Sequence, residues 1–362
     1  MELKSGTLLR NGEYRICEVL GQGGFGITYL GEQISLERKV AIKEFFMKEL
    51  CNRDMDTSQI SVGSHGSIDV VERFRQKFIK EARNIAKLKH RNIISIIDIF
   101  EDNGTAYYVM EYVEGGSLAD KVSEGALPVD VAVRYIRQVA SALALVHSKH
   151  MMHLDIKPAN ILVDEDDNAV LIDFGLSKRY DNEGHQTSTT PVGLSHGYAP
   201  MEQYRRGGVS SFSPATDIYS LGATLYKLVT GIRPPEADEV INDGLPDISY
   251  LSLPVRKAIE TSMRFVIKER PQSVGEFLEV LDGNGSGTPL AASTVTDETV
   301  APVVDESRVS AGAGRDKTVG DSSEETLNSA VDSVWHKKDK REKKDDNWLD
   351  DERFNDLKKW LP

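Results

Sequence analysis

The hydrophobic period changes partway along the chain, and this limits the fold more than any other feature. Residues 13–43 read as strands: "EYRICEVL", "ITYLGEQ" and "RKVAIKEF" alternate β-branched and aromatic residues around the glycine-rich "GQGGFG". Residues 44–70 are polar and irregular, an insertion in which "GSHGS" is not expected to be regular. A helix is expected over roughly 71–89, with Phe74, Phe78, Ile85 and Leu88 at helical spacing. "NIISIIDIFEDNGTAYYVMEYV" then gives two strands around an Asn103-Gly104 turn. After "EGGSL" helices take over. Pro128 lies near the start of a long one with Val133, Ile136, Val139, Ala140, Leu143 and Val146 among its apolar positions. Short strands return in "ILVDEDDNAVLIDFG", and "DIYSLGATLYKLVTG" reads as a buried helix ending at Gly231. Strands first and helices afterwards imply an α+β chain of two lobes rather than an alternating parallel sheet.

With 362 residues, one two-lobed domain plus an extension is expected. From about Gly283 the apolar periodicity stops. Residues 283–334 read as a disordered acidic linker, and 335–362 as a charged tail. In that tail Phe354, Leu357 and Leu361 would line one face of a short helix, with Trp348 and Trp360 nearby. The net charge of -13 argues against a nucleic-acid partner. Cys17 and Cys51 are the only cysteines and lie far apart, which does not suggest a disulfide framework or structural zinc site. No signal-peptide pattern opens the chain, and no apolar run reaches the roughly 18 residues of a membrane span. A cytoplasmic location is the expectation.

Gly21, Gly23 and Gly26 form a GxGxxG, a pattern that serves a tight turn as readily as a phosphate. In a dinucleotide fold the third glycine opens a helix, whereas here strand-like "ITYL" follows. A glycine hairpin still lets backbone N–H groups approach phosphates. Lys43 lies on the apolar strand "VAIK", where it is either paired with a carboxylate or snorkels from an edge. Glu81 in "FIKEARNIAKL" is the candidate carboxylate, or else an ordinary solvated helix residue. In "HLDIKPANILV", Asp155, Lys157 and Asn160 are grouped around Pro158, which blocks helix continuation. A polar turn between helix and strand would account for them. Phosphoryl transfer would use the same set: a carboxylate to take a proton, a cation at the phosphoryl group and an amide oxygen on a metal. Asp173, bounded by Leu171, Ile172 and Phe174, is costly to bury unless a cation meets it.

In this order "GQGGFGITY", "VAIKEFF", Glu81, "EYVEGGSL", "HLDIKPAN", "DFG", "GYAPMEQY", "DIYSLG" and "ERP" resemble the eukaryotic-type protein kinases, specifically the bacterial Ser/Thr kinases. The resemblance covers roughly residues 10–282, and implies an N-lobe over 10–113 and a C-lobe over 114–282. It implies an enzyme that moves the γ-phosphate of ATP to Ser or Thr hydroxyls of proteins, itself included, with Mg2+ or Mn2+. Gly21, Gln22, Gly23, Gly24, Phe25 and Gly26 would then cover the nucleotide. Lys43 would hold the α/β-phosphates and pair with Glu81, and Asp155 would be the catalytic base. Lys157 would touch the γ-phosphate, and Asn160 and Asp173 would hold magnesium. Met110 would be the gatekeeper of a hinge whose Glu111 and Val113 backbones meet the adenine. Glu202 would pair with Arg270, Asp217 would brace the catalytic loop, and Ser195 would sit near the family's usual Thr.

Two departures stand out. The family usually has Arg where this chain has Leu154, and that Arg reads a phosphorylated activation loop. The insertion between Lys43 and Glu81 is the second, placed where it could regulate the approach of the helix. "QTSTT" (Gln186–Thr190) offers hydroxyls for autophosphorylation, and Thr residues of "TVTDETV" offer sites for a phosphothreonine-reading partner. A kinase-fold scaffold without catalysis is the alternative. Such scaffolds usually lose part of the core set, and Lys43, Asp155, Asn160 and Asp173 are all present. Phosphotransfer to a small molecule on the same fold is disfavoured by "GYAPMEQY", which resembles a peptide-positioning segment.

Overall fold

Alternating apolar residues pair the first half of the chain into a sheet. The computed structural model describes residues 2–24, 26–63, 65–174, 178–179, 195–204 and 212–284. Phe25, the "QTSTT" segment, "TVTDETV", the expected linker beyond Asn284 and the expected tail helix lie outside the described residues. Strands β1 (Leu8–Leu9), β2 (Tyr14–Gly23), β3 (Gly26–Gln33) and β4 (Arg38–Phe45) run antiparallel in succession. A short hairpin follows, β5 (Cys51–Arg53) and β6 (Ile60–Val62), and then helix α1 (His65–Ile85). Strands β7 (Ile96–Asp102) and β8 (Thr105–Glu111) close a six-stranded sheet of order β1-β2-β3-β4-β8-β7.

Here the expectations need correcting. Residues 44–70 are not irregular throughout: they hold the β5–β6 hairpin and the first turns of α1, which include "HGS". The helix also ends at Ile85, and Leu88, although buried, lies in the tight turns that follow. The Asn103-Gly104 turn is as expected, with φ of 49° and 72°.

The pleat gives this sheet two distinct faces. Lys43 pairs across with Tyr108, and Phe78 of α1 packs tilted against Tyr108 and Phe45, with ring centroids 4.9 and 5.7 Å apart. The helix therefore covers the Lys43 face. Glu44 pairs across with Tyr107 on the opposite face, where Tyr107, Phe100 and Tyr14 stack in sequence.

The second lobe is helical, as the period change implied. Its elements are α2 (Leu118–Lys121), α3 (Val129–Ser148), β9 (Met151–Met152), β10 (Ile161–Val163), β11 (Ala169–Leu171), β12 (Lys178–Arg179), α4 (Pro214–Thr230), α5 (Ala237–Asp243), α6 (Leu253–Ser262) and α7 (Val274–Leu281). Of the apolar face read from the sequence, Ile136, Val139, Ala140, Leu143 and Val146 of α3 are fully buried, and Val133 is partly buried against the core. Helix α4 is buried nearly all round and packs against α3 and α6. No helix among the described residues is long and apolar enough to cross a membrane.

Candidate active site

The cleft between sheet and helices has Leu20, Ala41, Met110, Val113, Leu162 and Ile172 among its apolar walls, with Lys43 and Asp173 at one end. About 640 Å3 of space, solvent at its open mouth included, lies between these walls. At the hinge the Glu111 N–H donates to the Ser95 carbonyl at 3.1 Å, and Val113 is buried. The glycine-rich turn joins β2 to β3, whose Leu20 and Thr28 line this cleft, and the last pair of that hairpin is Gly23–Gly26. A Cβ at Gly26 would stand 2.5 Å from the Glu44 carbonyl, so only glycine lets the returning strand come this close to β4.

Asp217 of α4 holds the loop that carries His153, Leu154 and Asp155. Its carboxylate accepts the backbone N–H of His153 at 2.9 Å and of Leu154 at 2.8 Å, and meets His147 Nε2 at 2.8 Å. Burial alone would raise its pKa. The His147 hydrogen bond and charge, with His153, outweigh burial and hold Asp217 below the usual carboxylate range. His153 accepts the Asp155 N–H at Nδ1 and meets the Ile172 carbonyl at Nε2, so a proton on Nε2 satisfies both. Leu154 is buried at φ 66°, and its carbonyl accepts from Gln203 Nε2 at 2.9 Å.

Around Asp155 the polar groups converge. Asn160 Nδ2 donates to the Asp155 carbonyl and to its Oδ2, both at 2.8 Å. Lys157 Nζ lies 3.1 Å from the same Oδ2 and 3.1 Å from Ser195 Oγ. Ser195 Oγ donates to Asp155 Oδ1 at 2.5 Å. The structure thus brings together Asp155, Lys157, Asn160 and Ser195. Asn160 Oδ1 is buried with no hydrogen-bond partner, an oxygen left over for a hard cation.

Lys43 corrects one expectation. Its close partner is Asp173, at 3.0 Å, and no ion pair to Glu81 is made. Burial would lower the Lys43 pKa, but Asp173, with Tyr108 and Glu81 behind it, holds the ammonium above the usual lysine range. Glu81 is half-buried, and its carboxyl is pushed well above the usual range by desolvation, against the pull of Lys43 and with Asp173 adding to the rise. Asp173 itself has φ 55°.

Glu202 and Arg270 make their expected pair, reinforced by Thr216 Oγ1 on Glu202 Oε1 at 3.1 Å. Sequence reasoning did not single out His147, Gln203, Glu44 or Arg53. A carboxylate at 44 inside the apolar run "VAIKEFF" was a readable signal of a buried charge. His147, in the last turn of an apolar helix, was a weaker one.

The family model described as Protein kinase domain matches residues 14–281. The chain is similar to serine/threonine-protein kinase pkn2 of Myxococcus xanthus, 30% identical over 291 residues, which are 76% of this chain and 33% of that protein. It is 33% identical over 236 residues to serine/threonine-protein kinase PrkC of Bacillus subtilis, 65% of this chain and 33% of that one. It therefore spans about a third of the length of these curated relatives. Among solved structures, the one titled "PpkA-294 apo form" superposes with a TM-score of 0.64 at 29% identity, covering 77% of this chain and 99% of that chain. The chain belongs to the protein kinase family, in its eukaryotic-type branch shared with bacterial Ser/Thr kinases.

Proposed function

We propose that this chain transfers the γ-phosphate of ATP to Ser and Thr hydroxyls of proteins, its own included. One observation carries the reading: both oxygens of the Asp155 carboxylate are engaged, Oδ1 by a serine hydroxyl and Oδ2 by Lys157 and Asn160. A hydroxyl donating to a held carboxylate, with an ammonium 3.1 Å away, is the arrangement a general base needs toward an acceptor alcohol.

In this reading the flat apolar slot takes the base of the nucleotide and the glycine turn covers its phosphates. Lys43 binds the α/β-phosphates, and Asp155 accepts the proton of the attacking hydroxyl. Lys157 balances charge on the moving phosphoryl group. Asn160 Oδ1 and the Asp173 carboxylate are hard oxygen donors of the kind magnesium takes, with manganese as a substitute. Bound there, the ion would neutralise charge developing on the phosphates. Rate comes from positioning and charge, with no covalent enzyme intermediate. The free thiols, Cys17 half-buried and Cys51 buried, fit a reducing cytoplasmic setting. The unmade Lys43–Glu81 pair is the one observation that favours a silent scaffold instead.

Incubation with labelled ATP and Mg2+ or Mn2+ decides between the two. Incorporation that is stable at Ser and Thr supports transfer, and an unlabelled folded protein that still binds nucleotide supports the scaffold.

A further inference from the structure

Glu44 follows Lys43 in sequence, and the pleat sends it to the opposite face of the same strand. Its carboxylate is excluded from solvent yet fully engaged. Tyr29 OH donates to Oε2 at 2.8 Å and Tyr107 OH to Oε1, both from flanking strands. The remaining partner comes from elsewhere: Arg53 Nη2 of β5 meets Oε2 at 2.5 Å, with the Arg53 side chain 1% exposed. Burial would lower the Arg53 pKa, but the Glu44 hydrogen bond and charge more than reverse this, so the guanidinium keeps its charge in the interior.

This pair joins the insertion to the strand that carries Lys43. Arg53 Nη1 also donates to the Ser58 carbonyl at 2.9 Å, which ties the loop between β5 and β6 to the same guanidinium, and its cation lies 5.4 Å from the Phe46 ring. The hairpin then passes the β7–β8 turn, where the Ile60 N–H donates to the Asn103 carbonyl at 2.8 Å. A Cβ at Gly104 would lie 3.0 Å from the Ile60 carbonyl. Residues 63 and 64 alone separate the end of β6 from the start of α1. The chain therefore goes from the rear face, where Arg53 is held, to the front face, where α1 covers Lys43. A tether of two residues gives α1 little freedom to begin elsewhere, and a continuous helix carries its starting position along to Glu81.

We propose that Arg53 is a positioning residue for the transfer site. Its pair with Glu44 ties the insertion to the back of the Lys43 strand, which sets where α1 begins and how Glu81 stands toward Lys43. The kinetic part of this inference rests on the phosphoryl-transfer reading above. The structural part does not.

Arg53→Met keeps the apolar stem and leaves Glu44 buried without its cation. The double variant Glu44→Gln/Arg53→Met removes both charges; the amide oxygen accepts from one tyrosine and the amide N–H donates to the phenol oxygen of the other. Amide hydrogen exchange across α1, thermal unfolding and autophosphorylation rate against ATP concentration are measured on the full chain. In both variants exchange across α1 should rise while α3 stays as in wild type. The maximal rate should fall about tenfold to a hundredfold, with the KM for ATP changing far less. The double variant should regain thermal stability, because no unpaired charge remains buried, without regaining rate. Unchanged exchange across α1, or a rate that recovers together with stability in the double variant, would overturn the proposal. If the wild type transfers no phosphate, the transfer reading fails and the exchange across α1 alone judges Arg53.

Discussion

Arg270 and Glu202 meet face to face in a buried fork, Nη1 to Oε1 at 2.7 Å and Nη2 to Oε2 at 3.1 Å. The guanidinium's other hydrogens are also taken, by the carbonyls of Arg264, Ala215 and Phe265, and its plane lies 5.0 Å from the Tyr219 ring. A planar fork is needed to satisfy so many acceptors at once. Arg270→Leu should therefore lower the unfolding free energy by about 3–5 kcal/mol, since it leaves the Glu202 carboxylate buried and uncompensated. Chemical denaturation of the two proteins at neutral pH measures this, and a change under about 1 kcal/mol would count against a structural role for the fork.

Asp155→Asn removes the proposed proton acceptor yet keeps the shape of the loop. Lys43→Met removes the cation beside Asp173 and keeps the stem. Each should reduce incorporation of labelled phosphate by roughly a hundredfold or more while the fold, followed by circular dichroism, persists. Labelling of both variants at the wild-type rate would refute the transfer reading.

Asn160→Ala deletes the orphan Oδ1 and also the two hydrogen bonds that Nδ2 gives Asp155. Asn160→Asp keeps an oxygen donor. Activity of the alanine variant should require roughly tenfold or more magnesium for half-saturation, and the aspartate variant should require less than the alanine one. Titration of activity against Mg2+ at fixed ATP reads this directly.

Asp217 sets an acid limit on stability. Its native pKa is lowered, so its contribution is fully present above the unfolded value of about 3.9 and disappears as pH falls through the lower native value. Unfolding of wild type and Asp217→Asn between pH 7 and pH 2 should show a constant gap near neutrality. That gap should narrow below about pH 4. A gap that stays the same down to pH 2 would contradict the shift.

The sequence carried the fold where order is local and lost it where order is long-range. The strand alternation around the glycines, the Asn103-Gly104 hairpin and the apolar face of α3 each depend on neighbours a few residues away, and each was legible. The β5–β6 hairpin was not. Its strands are three residues each, too short for a readable period, and Arg53 finds its anion nine positions back on another strand. Gly66 also masked the start of α1, because glycine in a helix is read as a break. In the site, Asp155, Lys157 and Asn160 were legible as a group by their spacing. The partner of Lys43 was not, because spacing cannot rank two carboxylates that both come near one ammonium through tertiary packing.

At Leu154 the side chain is buried and cannot bind a phosphate. Phosphatase treatment should leave the rate on an added Ser/Thr peptide within about twofold of the untreated enzyme. A loss of tenfold or more would mean that another cation reads a phosphorylated loop.

The same residue shows where the shape of the loop is stored. Leu at φ 66° is strained by about 1–3 kcal/mol, yet its N–H is held by Asp217 and its carbonyl by Gln203. The peptide links on both sides are clamped whatever group projects from Cα. Form and contact at this position therefore reside in different atoms, the main chain fixing where the neighbouring carboxylate points and the side chain spent on packing. A substitution at 154 would therefore exchange one side chain for another while the carboxylate one residue along keeps its aim.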